Sequence, residues 1–312
     1  MFDAATKLRN ETIIEQLMSK DAGMTKQAED KLNDYIRIKE REAVVVDAIL
    51  PPFDITAADL DVQLGFEEPV KIFEREPATT AAITVPFGGN VEAREIEGSK
   101  FPVVFDTIRT LKKRANKFKL MTYRNDIRNI ITDNDINEIG IQKDVRFFAL
   151  CDSLLGGAAG TSLSAAGGVA MWQSIAGGLT PETWVDMMQI MPKGLGNFSV
   201  ATVVMNLVRA EEFFSWNADD LGDAMKAEVL VNGWSQRQVG GRKIIVTIKR
   251  NIVGDNDVYM FAEPNKLGKH CRLQAATIYP KVEADMLEWH CLESVGLTLA
   301  QVTGIAKATL TG

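Results

Sequence analysis

The chain has 312 residues, a length for one large domain or two medium ones, and 46% hydrophobic with 25% charged residues is ordinary globular composition. A net charge of −7 argues against a protein whose main task is gripping phosphate backbones, because such binding scales with the basic side chains presented. Three cysteines, Cys151, Cys271 and Cys291, give no disulfide framework and fit a reducing compartment.

Residues 1–24 mix both charge signs with short apolar runs. They lack the continuous apolar core of a signal peptide and predict an arm that needs a partner to order it. From Thr25 to Leu50 the pattern turns helical, with Ala28, Leu32, Tyr35, Ile36 and Ile38 among many charges, until Pro51 and Pro52 stop it. Residues 67–108 are β-rich: PVKIFERE, TTAAITVP, NVEAREIEG and FPVVFDTIRT, with a turn at Phe87-Gly88-Gly89-Asn90. A hairpin this charged cannot form a core alone, so it is expected to lie on something else.

LKKRANKFKLMTYR (111–124) is basic and predicts a strand over KFKLMTY. A long helix is then expected from about Asn125 to Leu155, where Ile127, Ile130, Ile131, Ile136, Ile139, Val145, Phe148 and Leu155 recur at three to five residues. Gly156-Gly157 should end it. The uncharged stretch from Ser153 to Pro181 holds too many glycines for a membrane span. Pro181 opens a short helix, SVATVVMN reads as a buried strand, and LVRAEEFFSW as a helix. EVLVNGW, GGRKIIVTIKRNIV, DVYMFAE, RLQAATIYP, MLEWHCLESVG and TGIAKATL read as strands. The mixture is α+β.

Candidate chemistry is sparse. Only His270 and His290 exist as the usual general base, each followed by a cysteine. Neighbouring residues on a strand face opposite ways, and the spacing fits no common zinc pattern, so neither a metal site nor a Cys-His nucleophile is expected. Asp133-Asn134-Asp135-Ile136-Asn137 with Asp144 imitates a calcium loop, but Glu138 stands where glycine must make the sharp turn. These residues read better as helix caps. Gly156-Gly157-Ala158-Ala159-Gly160-Thr161-Ser162 lacks the lysine of a phosphate loop. The basic cluster Arg109, Lys112, Lys113, Arg114, Lys117 and Lys119 could be a solvated face, an intersubunit ion-pair surface or a DNA contact. No catalytic residue, cofactor or metal ligand is assigned.

The order of these segments resembles the Hong Kong 97-type major capsid protein family of tailed double-stranded-DNA bacteriophages. DIRNIITDNDINEIGIQKDVRFFALCDSLLGG (126–157) looks like the family's spine helix, with Asp152 and Gly156-Gly157 at its end. GTSLSAAGG fits the linker that follows, VVMNLVRAEEFF the strand-to-helix "MN" segment of the axial domain, and DVYMFAEPNKLG with LEWHCLESVGLTLAQVTGIAKATL the closing strands. The resemblance covers nearly the whole chain and rests on the order of individually weak motifs.

It implies an N-terminal arm and helix over 1–65, an extended β-hairpin loop over 66–110, and a peripheral domain with the spine helix over 111–160. An axial domain over 161–250 and the closing strands of the peripheral domain over 251–312 complete the expectation. It also implies a structural, non-enzymatic subunit forming hexamers and pentamers of an icosahedral head around double-stranded DNA. Separate scaffolding, portal and decoration proteins would be its partners, with no membrane, and assembly would take place in the bacterial host cytoplasm. Some members weld subunits by a lysine–asparagine bond, but the ribbon tip VPFGGNVEAREIEG has no lysine, so non-covalent shells are expected. An encapsulin-like cellular shell, or a tail or baseplate protein, are the alternatives.

Overall fold

A computed structural model describes residues 4–17, 23–32, 44–61, 68–75, 99–121, 134–156, 170–194, 196–216, 237–239, 241–249 and 252–311. Two mixed sheets share one long helix. The first sheet runs β1 (Phe53–Asp54), β10 (Gly268–Glu283), β11 (Met286–Leu299), β3 (Ser99–Arg109) and β2 (Val70–Arg75). Its backbone is the β10–β11 hairpin, in register from Gly268↔Leu299 to Glu283↔Met286. Alongside β11, β3 pairs over Phe105–Arg109 and β4 (Lys113–Asn116) over Met286–Trp289. Thr110 stitches the break between them: its N–H donates to the Cys291 carbonyl (2.9 Å) and its hydroxyl accepts from the Cys291 N–H (2.9 Å).

The second sheet runs β5 (Trp172–Ala176), β12 (Ile305–Thr311), β9 (Asp257–Phe261), β6 (Thr202–Asn206), β8 (Arg242–Thr247) and β7 (Arg237–Val239). β6 is buried along its whole length, as an unbroken apolar run between two neighbours should be. The expected closing segment 251–312 therefore does not belong to one sheet. β10 and β11 lie in the first, whereas β9 and β12 lie in the second, pairing with β6 and β5. The reason is non-local pairing, which a segmental pattern does not encode.

The long helix α5 (Asn134–Leu154) is about 30 Å long at 1.5 Å per residue. Its first half sends Ile136 and Ile139 into the core of the first sheet. Its second half sends Phe147, Phe148 and Cys151 into the core of the second, where Leu155 joins them. Gly156 ends it with φ +89°, the left-handed conformation expected of its C-cap. Residues 122–133, where the helix was expected to begin, lie outside the described residues.

Other expectations need correction. KFKLMTY is not a strand: KRAN makes β4, and α4 (Lys117–Met121) follows because the Asn116 side chain accepts the Phe118 N–H at 2.9 Å. The helix over 25–50 is not continuous. Helix α2 occupies 23–32, Val44 is extended, and α3 (Val45–Ile49) begins afresh before Pro51. LVRAEEFFSW divides into α7 (Leu207–Ala210) and a 3-10 turn. The arm does not wait for a partner. α1 (Ala4–Leu17) buries Ile13, Ile14 and Leu17 with Ala28 and Leu32 of α2 in the core of the first sheet, on the same chain. TTAAITVP, most of NVEAREIEG and the turn at 87–90 lie outside the described residues, as does EVLVNGW.

Candidate functional site

The chemistry considered from the sequence is dispersed in space. His270 pairs with Leu297 and His290 with Tyr279, far apart along the β10–β11 hairpin, so the two His-Cys pairs do not converge. His270 is buried with Nδ1 3.2 Å from the Leu50 carbonyl oxygen, and His290 stacks on Tyr279. Burial pushes the Cys151 thiol well up and the Cys271 thiol up to about 11, away from thiolate chemistry. Among the described residues no group of three His, Cys, Asp or Glu could hold a metal ion. Nor is any described helix long and apolar enough to cross a membrane.

The basic stretch meets acids of its own chain: Lys112 with Glu288 (3.3 Å), Arg114 with Glu283 (3.7 Å), and Lys113 with Asp135 (2.5 Å) and Glu138 (3.4 Å). Burial lifts the Asp135 carboxyl above its usual value and outweighs the Lys113 contact. Such a group favours the folded state most below its unfolded value of 3.8 and loses that contribution as pH rises through the folded value. The stability of the parent relative to Asp135→Asn is therefore expected to fall between about pH 4 and 6. Urea melts that stay parallel across this window would contradict the assignment.

The charged residues of α5 carry the architecture. Lys143 sits 3.1 Å from Glu293 of β11 and 3.6 Å from Asp47 of α3, whose other oxygen lies 3.5 Å from His270. Asp144, fully buried, accepts the Val46 N–H at 3.0 Å and the Lys249 ammonium at 2.7 Å. Asp152, beyond a further two turns of helix, accepts from the Tyr259 hydroxyl (2.9 Å) and the Lys307 ammonium (3.1 Å). Lys307 also meets Asp257 at 3.2 Å and lies over the Trp172 and Tyr259 rings at 4.1 and 4.8 Å. One helix is thus bolted to the first sheet through Lys143 and to the second through Asp152. None of these residues was singled out from the sequence, although Lys143 carried a signal. It lies four residues from both Ile139 and Phe147, inside the apolar stripe.

The described part of the ribbon is its stem. β2 and β3 pair from Val70↔Val104 to Arg75↔Ser99, and β2 is the edge of the first sheet. Phe73 and Phe101 stack at 6.0 Å and join a small core with Ile55, Val103, Phe105 and Cys271. The stem therefore has support that its charge pattern alone did not suggest. Residues 76–98 would continue it from an edge strand, whose open backbone groups invite pairing with another chain. Asn206, of the "MN" segment, caps α7 by accepting the Val208 N–H (3.1 Å) and ties it back by donating to the Val253 carbonyl (3.1 Å).

No family model and no curated protein matches the sequence. Solved structures do match. The capsid of a native GTA particle is 10% identical, covering 86% of this chain and 90% of that one at a TM-score of 0.55. The capsid of cyanophage P-SCSP1u is 10% identical over 86% and 94% of the two chains at 0.54. The mature capsid of bacteriophage PhiM1 is 9% identical over 83% and 85% at 0.53. The chain has the Hong Kong 97-type capsid fold. In this capsid fold α5 is the spine helix, and the β2–β3 stem is the root of the extended loop. The acid-base bolts along α5 hold the two halves of the capsid fold together, which explains how a chain with buried charges tolerates them. At this level of identity the likeness fixes the fold alone, and the low identity itself fits a fold specified by pattern and packing more than by particular residues.

Proposed function

We propose that this chain is the shell-building subunit of a tailed-phage head, assembling as hexamers and pentamers into an icosahedral capsid around double-stranded DNA. The observation that carries the reading is the capsid fold matched over more than four fifths of the chain, with the ribbon stem on a sheet edge. In the proposed shell the extended loop (66–110) lies across a neighbour. The sheet holding β5, β6, β8, β9 and β12 is the axial part, and the sheet of β10 and β11 with the spine helix is the peripheral part. Many modest contacts repeated by symmetry then give a stable closed wall. Its role is structural and not enzymatic. Scaffolding, portal and decoration proteins are separate partners, the subunit is assembled in the bacterial host cytoplasm, and its final place is the virion. The net charge of −7 suits a lining that surrounds DNA without gripping it.

Negative-stain microscopy of the expressed protein, with and without a scaffold, is expected to show closed shells. Rings or tubes would favour a tail or baseplate part, and a compact monomer at all concentrations would refute the shell reading. Particles containing protein cargo in place of nucleic acid would identify a cellular, encapsulin-like compartment. On denaturing gels mature shells are expected to run as single chains, because the segment 76–98 contains no lysine to form a covalent link. A ladder of chain multiples would overturn that expectation.

A further inference from the structure

The arm contradicts the expectation set for it, and the way it docks suggests a use. α1 and α2 hold to each other through Gln16, whose carbonyl lies 3.5 Å from the Thr25 hydroxyl and whose side chain accepts from Lys31 at 3.4 Å. As a pair they bury a thin stripe, Ile13, Ile14, Leu17, Ala28 and Leu32. The groove that receives the stripe is formed by Leu120 of α4, Ile136 and Ile139 of α5, and Ile278, Leu287 and Trp289 of the β10–β11 hairpin. Helices of this length are marginal in water, so the pair owes its order to the groove. The core of the second sheet contains no residue of α1 or α2.

The pair is joined to the body by residues 33–43, a contour of up to about 40 Å when extended. Every copy of the chain carries the same stripe and the same groove, so a neighbour's arm makes identical contacts, and only the linker decides whose groove is filled. Packing copies side by side raises the local concentration of foreign arms far above that in dilute solution. We propose that the α1–α2 pair is exchangeable: it occupies its own groove in the dispersed subunit and the equivalent groove of a second copy in the assembled one. The arm then interlocks neighbours without any surface beyond the one already seen, an inference that rests on the shell reading for its setting.

The test is a photo-crosslinker on the full chain, Gln16→p-benzoylphenylalanine, with Thr12→p-benzoylphenylalanine as a second variant in case the first fails to fold. Gln16 is half-buried at the rim of the stripe and Thr12 is exposed. Dispersed and assembled fractions are irradiated, separated on denaturing gels, and the adducts mapped by peptide mass. Single-chain adducts on the Ile278 or Trp289 peptide are expected in the dispersed fraction. Adducts of two or more chains on those same peptides are expected to rise roughly tenfold or more on assembly. Single-chain adducts in both fractions would overturn the proposal, as would multi-chain adducts mapping outside the groove. Should no assembled fraction form, the shell reading fails. Exchange is then judged on concentrated dispersed protein, where two-chain groove adducts retain it and single-chain adducts alone refute it.

Discussion

Replacing Lys143 with methionine is expected to lower stability by about 3–5 kcal/mol, because it removes the cation from between buried carboxylates. Glu293 has a fully buried side chain and Asp47 one that is 10% exposed; Lys143 reaches both from the spine helix, at 3.1 and 3.6 Å. Methionine fills much of the lysine stem but leaves the two acids facing each other in a poorly solvated space. A loss of that size corresponds to a fall in melting temperature on the order of 10 °C. The double replacement Lys143→Met with Glu293→Leu is expected to recover a large part of it, since an apolar pair of similar volume often serves as well as a buried ion pair. A single variant within about 1 kcal/mol of the parent in urea unfolding would show that the cluster does not hold spine and sheet together. Shell formation should fail before folding does, because the same cluster ties α3 and β11 at the root of the ribbon, and a loosened root no longer aims it.

The same cluster marks the boundary of what the sequence made legible. The spine helix, its glycine end, the stem strands and the β10–β11 hairpin followed from local periodicity, and all were found where their patterns placed them within the described residues. Local rules failed where a distant partner decided the outcome. KFKLM has a strand-like pattern but lies beyond the end of β4, where Asn116 offers a cap, and it became a helix. DVYMF and IAKATLT are separated by the long hairpin yet pair with each other, Ile305↔Phe261 to Thr309↔Asp257, in the sheet that does not contain that hairpin. The arm looked incapable of ordering itself because its few apolar residues are meaningful only against a groove assembled from residues 120, 136–139 and 278–289. Its docking on its own chain also removes it as an argument for assembly, so the shell reading stands on the fold and the ribbon stem.

Gly268→Ala is expected to be as damaging as any core truncation, for the opposite reason. A Cβ built there would lie 2.2 Å from the Thr298 carbonyl oxygen and 2.9 Å from the Leu299 Cα, and neither backbone atom can swing aside as a side chain could. Gly268 opens β10 opposite Leu299, directly after Leu267, which is buried in the core of the second sheet. Forcing the strands apart there disturbs both sheets at their junction, at an expected cost of about 3 kcal/mol or more. Gly241→Ala provides the contrast. Nothing lies within 4 Å of its Cβ position, and only its φ of +77° resists a side chain, so a cost near 1 kcal/mol is expected. The two variants separate close backbone approach from backbone conformation as the reason a glycine is required. If urea unfolding ranks Gly241→Ala as the costlier, the tight passage at the start of β10 is not what joins the two halves of the fold.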